Sequence, residues 1–259
     1  MSKKPWKFRK GMPAIDWHVH TPCSCDCITD PAESTHVAMN RGLKGICFTD
    51  HVDFDPRDDG VGFFNWKMYN ELIDGARGKF PGMHVKTGFE LNWQEEFKKE
   101  IEAFLEGKQV DFLLGSVHWV STGFINDRTT YDDRTFDDFI DEWIKESLSL
   151  LSSGIADGFA HFDYFYLQTR HVYPSISRED IYDYAGEVIE SLITHDVSLE
   201  INTSALRKGL DEPFPSWNFL RHFRKDGGNL VHLGSDSHEA RHVKFRFDEC
   251  LKMVKSIFH

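Results

Sequence analysis

The sequence predicts an α/β protein with the fold of a TIM-like (β/α)7 barrel. A short apolar segment followed by an amphipathic stretch recurs seven times, which is typical of parallel strands connected by helices. The chain of 259 residues is long enough for one large barrel, and no linker or charge block marks a boundary. We therefore expect a single domain over residues 1–259, with 1–13 as an N-terminal extension. A doubly wound open sheet is the alternative architecture.

The predicted strands are short apolar segments, most of which end in polar residues at their C-terminal side. In chain order they read "PAIDWHVH", "GICFTDH", "HVKTGFEL", "VDFLLGSVHW", "GFAHFDY", "VSLEINTS" and "NLVHLGSDSH".

The stretches between the strands carry helix signals. After the first strand, Thr29 or Asp30 can serve as N-cap, Pro31 occupies the first helical position, and Gly42 provides a stop. Apolar residues at helical spacing predict three further helices, over 93–107, 135–154 and 177–193.

Composition and charge limit the classes of function. The chain is 40% apolar, but no apolar run approaches the roughly 18 residues needed to span a bilayer, so a membrane partner is not expected. A net charge of -12 disfavours nucleic acid, because the one dense basic cluster is "KKPWKFRK" near the N-terminus. The start lacks the apolar segment of a secretion signal and the five cysteines are an odd number, which predicts a cytoplasmic protein with free thiols. The oligomeric state stays open.

Polar side chains capable of chemistry cluster where the predicted strands end. In parallel barrels the carboxyl ends of all strands open on one mouth, where active sites are built. His18 and His20 are two residues apart and point to the same side of their strand, as do Asp236 and His238. The complete set is His18, His20, Asp50, His51, Glu90, His118, His161, Asp163, Asn202, Asp236 and His238.

This set predicts a metal centre. Imidazole and carboxylate groups without a Cys-x-x-Cys pair suit Zn, Mn or Fe(II) rather than a closed structural zinc site. The set exceeds the roughly four to six ligands of one ion, which predicts two or three ions. We expect His232, lower in the barrel, to pack in the core. Structural or surface positions are expected for His36, His84, His171, His195, His222, His242 and His259.

The ordered motifs resemble the PHP (polymerase and histidinol phosphatase) superfamily, and most closely its histidinol-phosphate phosphatase branch. They span about residues 14 to 248 and read "DWHVHTPCSCD", "FTDH", "GFELNW", "LLGSVHW", "FAHFDYF", "LEINTSALRK" and "GSDSH". The resemblance implies a distorted (β/α)7 barrel whose mouth holds three divalent metal ions, Zn, Mn or Fe. Glu90 is implied to bridge the first ion to the second. Grouped by ion, the implied ligands are His18, His20, Glu90 and Asp236; Glu90, His118 and His161; and Asp26, His51 and His238.

The resemblance also implies a reaction. It is the hydrolysis of L-histidinol phosphate to L-histidinol and phosphate, a step of histidine biosynthesis, so the expected partner is a small phosphate ester. Two ions bridged by a carboxylate lower the pKa of a shared water, which predicts a metal-bridging hydroxide as nucleophile. Glu90, Asp236, His238 and Arg207 are the expected catalytic residues. Arg207 and Arg170 are expected to bind the phosphate, because guanidinium matches phosphate oxygens in a two-pronged way.

Two other functions remain open from the sequence. The same metal centre could hydrolyse another small phosphate ester or a nucleotide. Alternatively, the chain could be a metal-binding module without turnover, although none of the implied ligand positions has been lost.

Three features near the predicted mouth have alternative interpretations. Cys23, Cys25 and Cys27 are expected to be small buried side chains; the alternatives are a soft metal ligand, or oxidative sensitivity if Cys27 is exposed. The loop over 52–66, with its carboxylates and aromatic residues, either covers the mouth or is simply solvated. Asp163 could orient His161 or a metal-bound water, and Asn202 either contacts the site or caps a loop.

Overall fold

The fold is a nearly closed barrel of seven parallel strands, described for residues 15–258 by a computed structural model. A two-stranded antiparallel hairpin, β5 and β6, is separate from the barrel sheet. In chain order the strands are Ile15–Val19 (β1), Gly45–Val52 (β2), His84–Asn92 (β3), Phe112–Ser116 (β4), Trp119–Val120 (β5), Gly123–Phe124 (β6), Gly158–Phe159 (β7), Ser198–Asn202 (β8) and Val231–Gly234 (β9).

The barrel strands follow the order β1, β2, β3, β4, β7, β8, β9, and every pair is parallel. The first and last strands meet beyond their ends, where Val19 bridges Ser237 and the His20 N–H donates to the Ser237 carbonyl at 2.9 Å. The predicted (β/α)7 barrel is therefore confirmed, and all seven predicted segments contribute a strand. Residues 1–14 and His259 lie outside the described residues, so a single domain over 1–259 with an extension over 1–13 stays a prediction.

Helices alternate with the barrel strands and surround them. None of the helices within 15–258 combines the length and apolar character that crossing a membrane would require. They are Pro31–Asn40 (α1), Trp66–Lys79 (α2), Lys98–Leu105 (α3), Phe136–Ser153 (α4), Tyr166–Val172 (α5), Asp180–Tyr184 (α6), Gly186–Thr194 (α7), Ser204–Arg207 (α8), Trp217–Lys225 (α9) and Phe247–Phe258 (α10).

The first predicted helix begins and ends where its sequence signals place it. The Asp30 side chain accepts from the Ala32 N–H at 2.7 Å, so of the two predicted caps it is Asp30 that acts, directly before Pro31. Gly42, with a φ of 78°, takes the left-handed conformation that glycine adopts at little cost. The helix α1 is therefore delimited by local chemistry.

Two of the predicted helices are shorter or broken. The stretch 93–107 begins with a 3-10 turn, Glu95–Phe97, before α3. The stretch 177–193 is divided at Ala185, whose N–H contacts the carbonyls of both Ile181 and Tyr182 and so tightens the last turn of α6. A new helix, α7, then starts at Gly186.

The core beneath the mouth is apolar and fixes the barrel walls. Trp143 on α4 packs edge-on against Phe162 at 5.1 Å between ring centroids, joining the helical layer to the barrel. His232 is buried on β9, its Nδ1 lies 2.8 Å from Ser198 Oγ, and its ring meets Phe112 edge-on. His232 therefore packs in the core, as predicted.

Candidate metal centre

The predicted metal ligands meet at the carboxyl ends of the strands, around a cavity of about 180 Å³. Seven of the nine line this cavity, and His18 and His20 are fully buried beside them. The cavity also holds Cys25, Asp53, Asp58, Phe124, Tyr164 and Lys208. The ligands come from the first strand, the last strand and four strands between.

Glu90, at the end of β3, lies at the centre of the cluster. Its Oε1 is 2.9 Å from His161 Nε2 and 3.4 Å from His118 Nε2. Its Oε2 is 3.0 Å from His18 Nε2 and 3.2 Å from His51 Nδ1. A carboxylate whose two oxygens face separate pairs of imidazoles has the geometry of a bridging ligand.

A second group of ligands joins the two ends of the barrel sheet. The Nε2 atoms of His18 and His20 are 3.1 Å apart, and Asp236 Oδ1 lies 3.7 and 3.5 Å from them, respectively. Both histidines also approach Glu90 Oε2, at 3.0 and 3.6 Å. Strand alternation thus turns His18 and His20 to the same side, as expected.

A third group lies at the outer edge of the cavity. His238 Nε2 is 3.0 Å and His51 Nε2 is 3.8 Å from Asp26 Oδ2. The His238 ring stacks on His20 with centroids 3.9 Å apart, so this group is continuous with the second. Ligand atoms of His20, His51 and His238 lie within 4.8 Å of one another, as do those of His51, Glu90 and His118.

The electrostatics of the cluster fit divalent cations. Burial lowers the pKa of His20 well below its usual value and that of His118 to about 3, so both are neutral and keep a lone pair for a metal. Burial opposes the ionisation of Glu90, but His18 and His51 outweigh it and hold the Glu90 pKa well below its ordinary range. A buried, ionised carboxylate surrounded by imidazoles is the donor set that Zn, Mn and Fe(II) favour.

Two ligands require an unusual backbone. His161 and Asp236 have positive φ angles of 20° and 52°. Such conformations cost non-glycine residues free energy and persist where surrounding contacts determine them. Here the turns bring both side chains into the cavity directly after β7 and β9.

Asp50 organises the loop after β1, which carries Asp26 of the third group, and does not itself line the cavity. Its carboxylate accepts from the Thr21 N–H at 2.6 Å and from Ser24 Oγ at 2.8 Å. Ser24 Oγ in turn lies 2.9 Å from His20 Nδ1, which leaves His20 Nε2 directed at Glu90. Asp50 thus orients a predicted ligand indirectly.

The structure confirms the predictions for the cysteines of this loop only in part. All five cysteines are free, as predicted. Cys23 and Cys27 are buried, but Cys25 is exposed at the cavity, so its predicted burial is wrong. Desolvation and nearby aspartates raise the pKa of all three thiols to about 11, so the thiols are protonated at neutral pH.

The two arginines predicted to bind phosphate lie elsewhere. The Arg207 guanidinium donates to the carbonyls of Ser235 and Asp236, at 2.8 Å each, and does not line the cavity. Arg170 on α5 donates to His171 and is also absent from the cavity lining. The cation that faces the cavity is Lys208, the neighbour of Arg207. Substrate contacts by the two arginines stay a prediction that this geometry does not favour.

Asp163 has a different partner from the one suggested by its sequence spacing. Its oxygens lie 2.5 and 3.1 Å from Arg178 Nε and Nη2, a buried bidentate ion pair. Arg178 also donates to the Pro213 carbonyl. Asp163 therefore anchors the segment before α6 rather than orienting His161.

The loop over 52–66 contributes charge to the cavity, whereas none of its aromatic residues lines the cavity. Asp53 and Asp58 line the cavity, and burial raises the pKa of Asp53 to about 7. Trp119 Nε1 donates to Asp58 Oδ2 at 2.7 Å. Phe64 and Trp66 instead pack against Phe89 in the core, and the aromatic lining comes from Phe124 and Tyr164.

Glu200 was missed from the sequence. It is fully buried on β8, with Oε1 2.7 Å from His18 Nδ1. Its signal was available, because it precedes Asn202 by two residues and therefore shares the face of a strand-end residue already singled out.

Comparison with known proteins agrees with this geometry. Residues 16–204 match the model of the PHP domain family. A histidinol-phosphatase of Lactococcus lactis is 28% identical over 253 residues, covering 96% of this chain and 93% of the relative. A probable phosphatase of Escherichia coli is 26% identical over 247 residues, covering 94% of this chain and 85% of that protein.

A solved structure is also similar across nearly the whole chain. The crystal structure of histidinol phosphate phosphatase from Lactococcus lactis, complexed with zinc, L-histidinol and phosphate, has a TM-score of 0.81 and 26% identity, with 95% of each chain covered. Fold and site thus define a metal-binding barrel of the phosphoesterase type. The chain belongs to the PHP domain family, which confirms the resemblance seen in its motifs.

Proposed function

We propose that this protein is a divalent-metal-dependent phosphomonoesterase that hydrolyses L-histidinol phosphate to L-histidinol and phosphate. The observation that carries the proposal is the convergence of five imidazole side chains on the two oxygens of Glu90, with Asp26, Asp236 and His238 beside them. The similarity to the Lactococcus lactis structure with zinc, L-histidinol and phosphate supports the choice of substrate.

Three ions, Zn, Mn or Fe, are proposed at the mouth, with the ligands grouped around Glu90. His18, His20 and Asp236 would hold the first ion together with Glu90, and His118 and His161 the second. The outer group of Asp26, His51 and His238 would hold the third. Bound divalent ions in such a cluster activate water for attack and neutralise the charge that develops on the leaving oxygen.

The cavity has a positive charge on one side and negative charges on the other, which suggests how a substrate is oriented. Lys208 follows β8, its Nζ lies 4.0 Å from Asp236 Oδ2 and 4.5 Å from the centre of the Tyr164 ring. Asp53 and Asp58 follow β2, on the opposite side of the seven-stranded ring. Lys208 would therefore hold a phosphoryl oxygen, and the two carboxylates would attract the cationic amine and imidazole of L-histidinol phosphate.

Phosphate release from L-histidinol phosphate tests the proposal directly. We expect a chelator to abolish it and Zn, Mn or Fe(II) to restore it. His20→Ala and Asp236→Ala should each reduce kcat/KM at least about 100-fold without unfolding the chain, because they remove predicted ligands. His36→Ala, on the exposed side of α1, is the matched control. A correctly folded, metal-loaded protein without phosphatase activity would contradict the proposal.

A second candidate is the hydrolysis of another small phosphate ester. The Escherichia coli relative, named as a probable phosphatase, is almost as similar to this chain as the histidinol-phosphatase. A panel of phosphomonoesters, ranked by kcat/KM, separates the two candidates. Our proposal requires L-histidinol phosphate to rank first.

A further inference from the structure

Strand β8 contributes no side chain to the nine predicted ligands, yet it contacts two of them. Glu200, in the middle of β8, is fully buried. Its Oε1 lies 2.7 Å from His18 Nδ1, and its Oε2 accepts from the His161 N–H at 2.8 Å. One carboxylate therefore contacts ligands that belong to two different groups of the centre.

The contacts continue along the chain. Asn202 Nδ2 donates to Glu200 Oε2 at 3.0 Å, and Asn202 Oδ1 accepts from the Ser204 N–H at 2.9 Å. Ser204 Oγ donates to Asp236 Oδ2 at 3.0 Å. All three side chains are buried, so the connection from His18 to Asp236 is shielded from water.

The packing around Glu200 leaves little freedom. A Cβ added at Gly234, on the neighbouring strand β9, would overlap Glu200 Oε1 and lie 2.6 Å from His18 Cβ. Glycine at this position lets the carboxylate and the imidazole approach each other. The Glu200 side chain is thus held against His18 by shape as well as by hydrogen bonding.

We propose that Glu200, Asn202 and Ser204 form a positioning network for the metal centre. An Nδ1–H of His18 donated to Glu200 leaves the Nε2 lone pair facing Glu90 and Asp236. A carboxylate in this place fixes both the tautomer and the ring orientation of a ligating histidine.

The network also holds the two ligands that have a strained backbone. His161 and Asp236 have positive φ angles, and each receives a contact from the β8 segment. Arg207, at the end of α8, adds a hydrogen bond to the Asp236 carbonyl at 2.8 Å. These contacts offset the cost of the unusual conformation. The proposal relies on the metal centre proposed above.

The principal test is to measure the metal affinity of the Glu200→Gln variant. The amide can still accept from His18 Nδ1, but its NH2 group faces two donors, the His161 N–H and Asn202 Nδ2. We expect metal affinity to fall about 10- to 100-fold. This is the usual effect of replacing a residue that hydrogen-bonds the ring nitrogen of a ligating histidine that does not face the metal. The measurement is competition with a chromogenic chelator, with metal content counted after gel filtration. Ser198→Ala is the matched control, because Ser198 lies on the same strand but bonds His232.

Two further variants keep the test decisive. If Glu200→Gln does not fold, Ser204→Ala, which removes one hydroxyl, is expected to weaken metal binding roughly 10-fold through Asp236. The double variant Glu200→Gln/Asn202→Asp places an acceptor opposite the new amide and should recover part of the affinity. General destabilisation would not be relieved by that second change.

The outcomes separate this inference from the proposed function. A wild-type protein that binds no divalent metal contradicts the metal centre itself. The positioning network alone is overturned if the wild-type protein binds metal and the variants bind it equally well. Equal binding means that Ser204→Ala, and Glu200→Gln if it folds, keep the metal affinity of the wild type within twofold.

Discussion

Replacing Lys208 with methionine should remove the one lysine or arginine that lines the cavity within residues 15–258. The Lys208 side chain is 36% exposed, and its Nζ is held between the Tyr164 hydroxyl at 3.3 Å and Asp236 Oδ2 at 4.0 Å. Methionine keeps most of the aliphatic length and removes the charge. The variant therefore changes electrostatics more than packing.

The size of the effect follows from the position of the charge. Two unit charges about 4 Å apart attract by about 4 kcal/mol at an effective dielectric constant near 20, and exposure by a third reduces this. A hydrogen bond to a charged group contributes about 1.5–3 kcal/mol net. We therefore expect kcat/KM for L-histidinol phosphate to fall about 10- to 100-fold, since 1.4 kcal/mol corresponds to a factor of ten.

Steady-state kinetics and product inhibition by inorganic phosphate provide the assay. Phosphate should inhibit Lys208→Met more weakly than the wild type, and Lys208→Arg should retain most of the activity. Lys67→Met, which changes an exposed lysine on α2 that pairs with Glu71, is the control. A Lys208→Met enzyme with kcat/KM and phosphate inhibition within twofold of the wild type would refute the role assigned to Lys208.

Three other predictions follow from the site and the core. Asp53→Asn should lower kcat/KM for L-histidinol phosphate about 10-fold. The kcat/KM for p-nitrophenyl phosphate, which has no cationic group, should stay nearly unchanged. An equal loss on both substrates would contradict the role of Asp53 in recognising the cation. Burial lowers the pKa of His232 to about 4, so the unfolded chain binds an additional proton between pH 6.5 and 4 and stability falls as the pH drops through that window. This residue should cost the wild type about 2 kcal/mol between pH 7.5 and 5, and urea unfolding of His232→Asn should lack that part of the dependence. Removal of metal by chelation should lower the Tm by several degrees, because the ions bind the folded state alone, and calorimetry on stripped and reloaded protein should show a reversible change.

The barrel and the location of its site were predictable because both follow from local patterns. Apolar segments of strand length alternate with helical stretches, and parallel strands present their carboxyl ends at one mouth. His18 and His20, two residues apart, were expected to share a side, and they do. The grouping of ligands by ion stays a prediction.

Details that depend on tertiary contacts were not predictable in the same way. Arg207 and Lys208 are adjacent, and only the short helix α8 determines which of them turns to the cavity. Asp163 is two residues from His161, but its partner is Arg178, which reaches it from beyond α5. The division of the predicted helix over 177–193 arises from one turn at Ala185, where no proline announces it.

The ends of the barrel sheet have a consequence for biogenesis. Asp236 and His238 are translated more than two hundred residues after His18 and His20. A nascent or prematurely terminated polypeptide that lacks the final strand cannot assemble the complete centre. Catalytic competence would therefore arise only after the last barrel strand has been translated, so that fragments ending before this strand would be inactive.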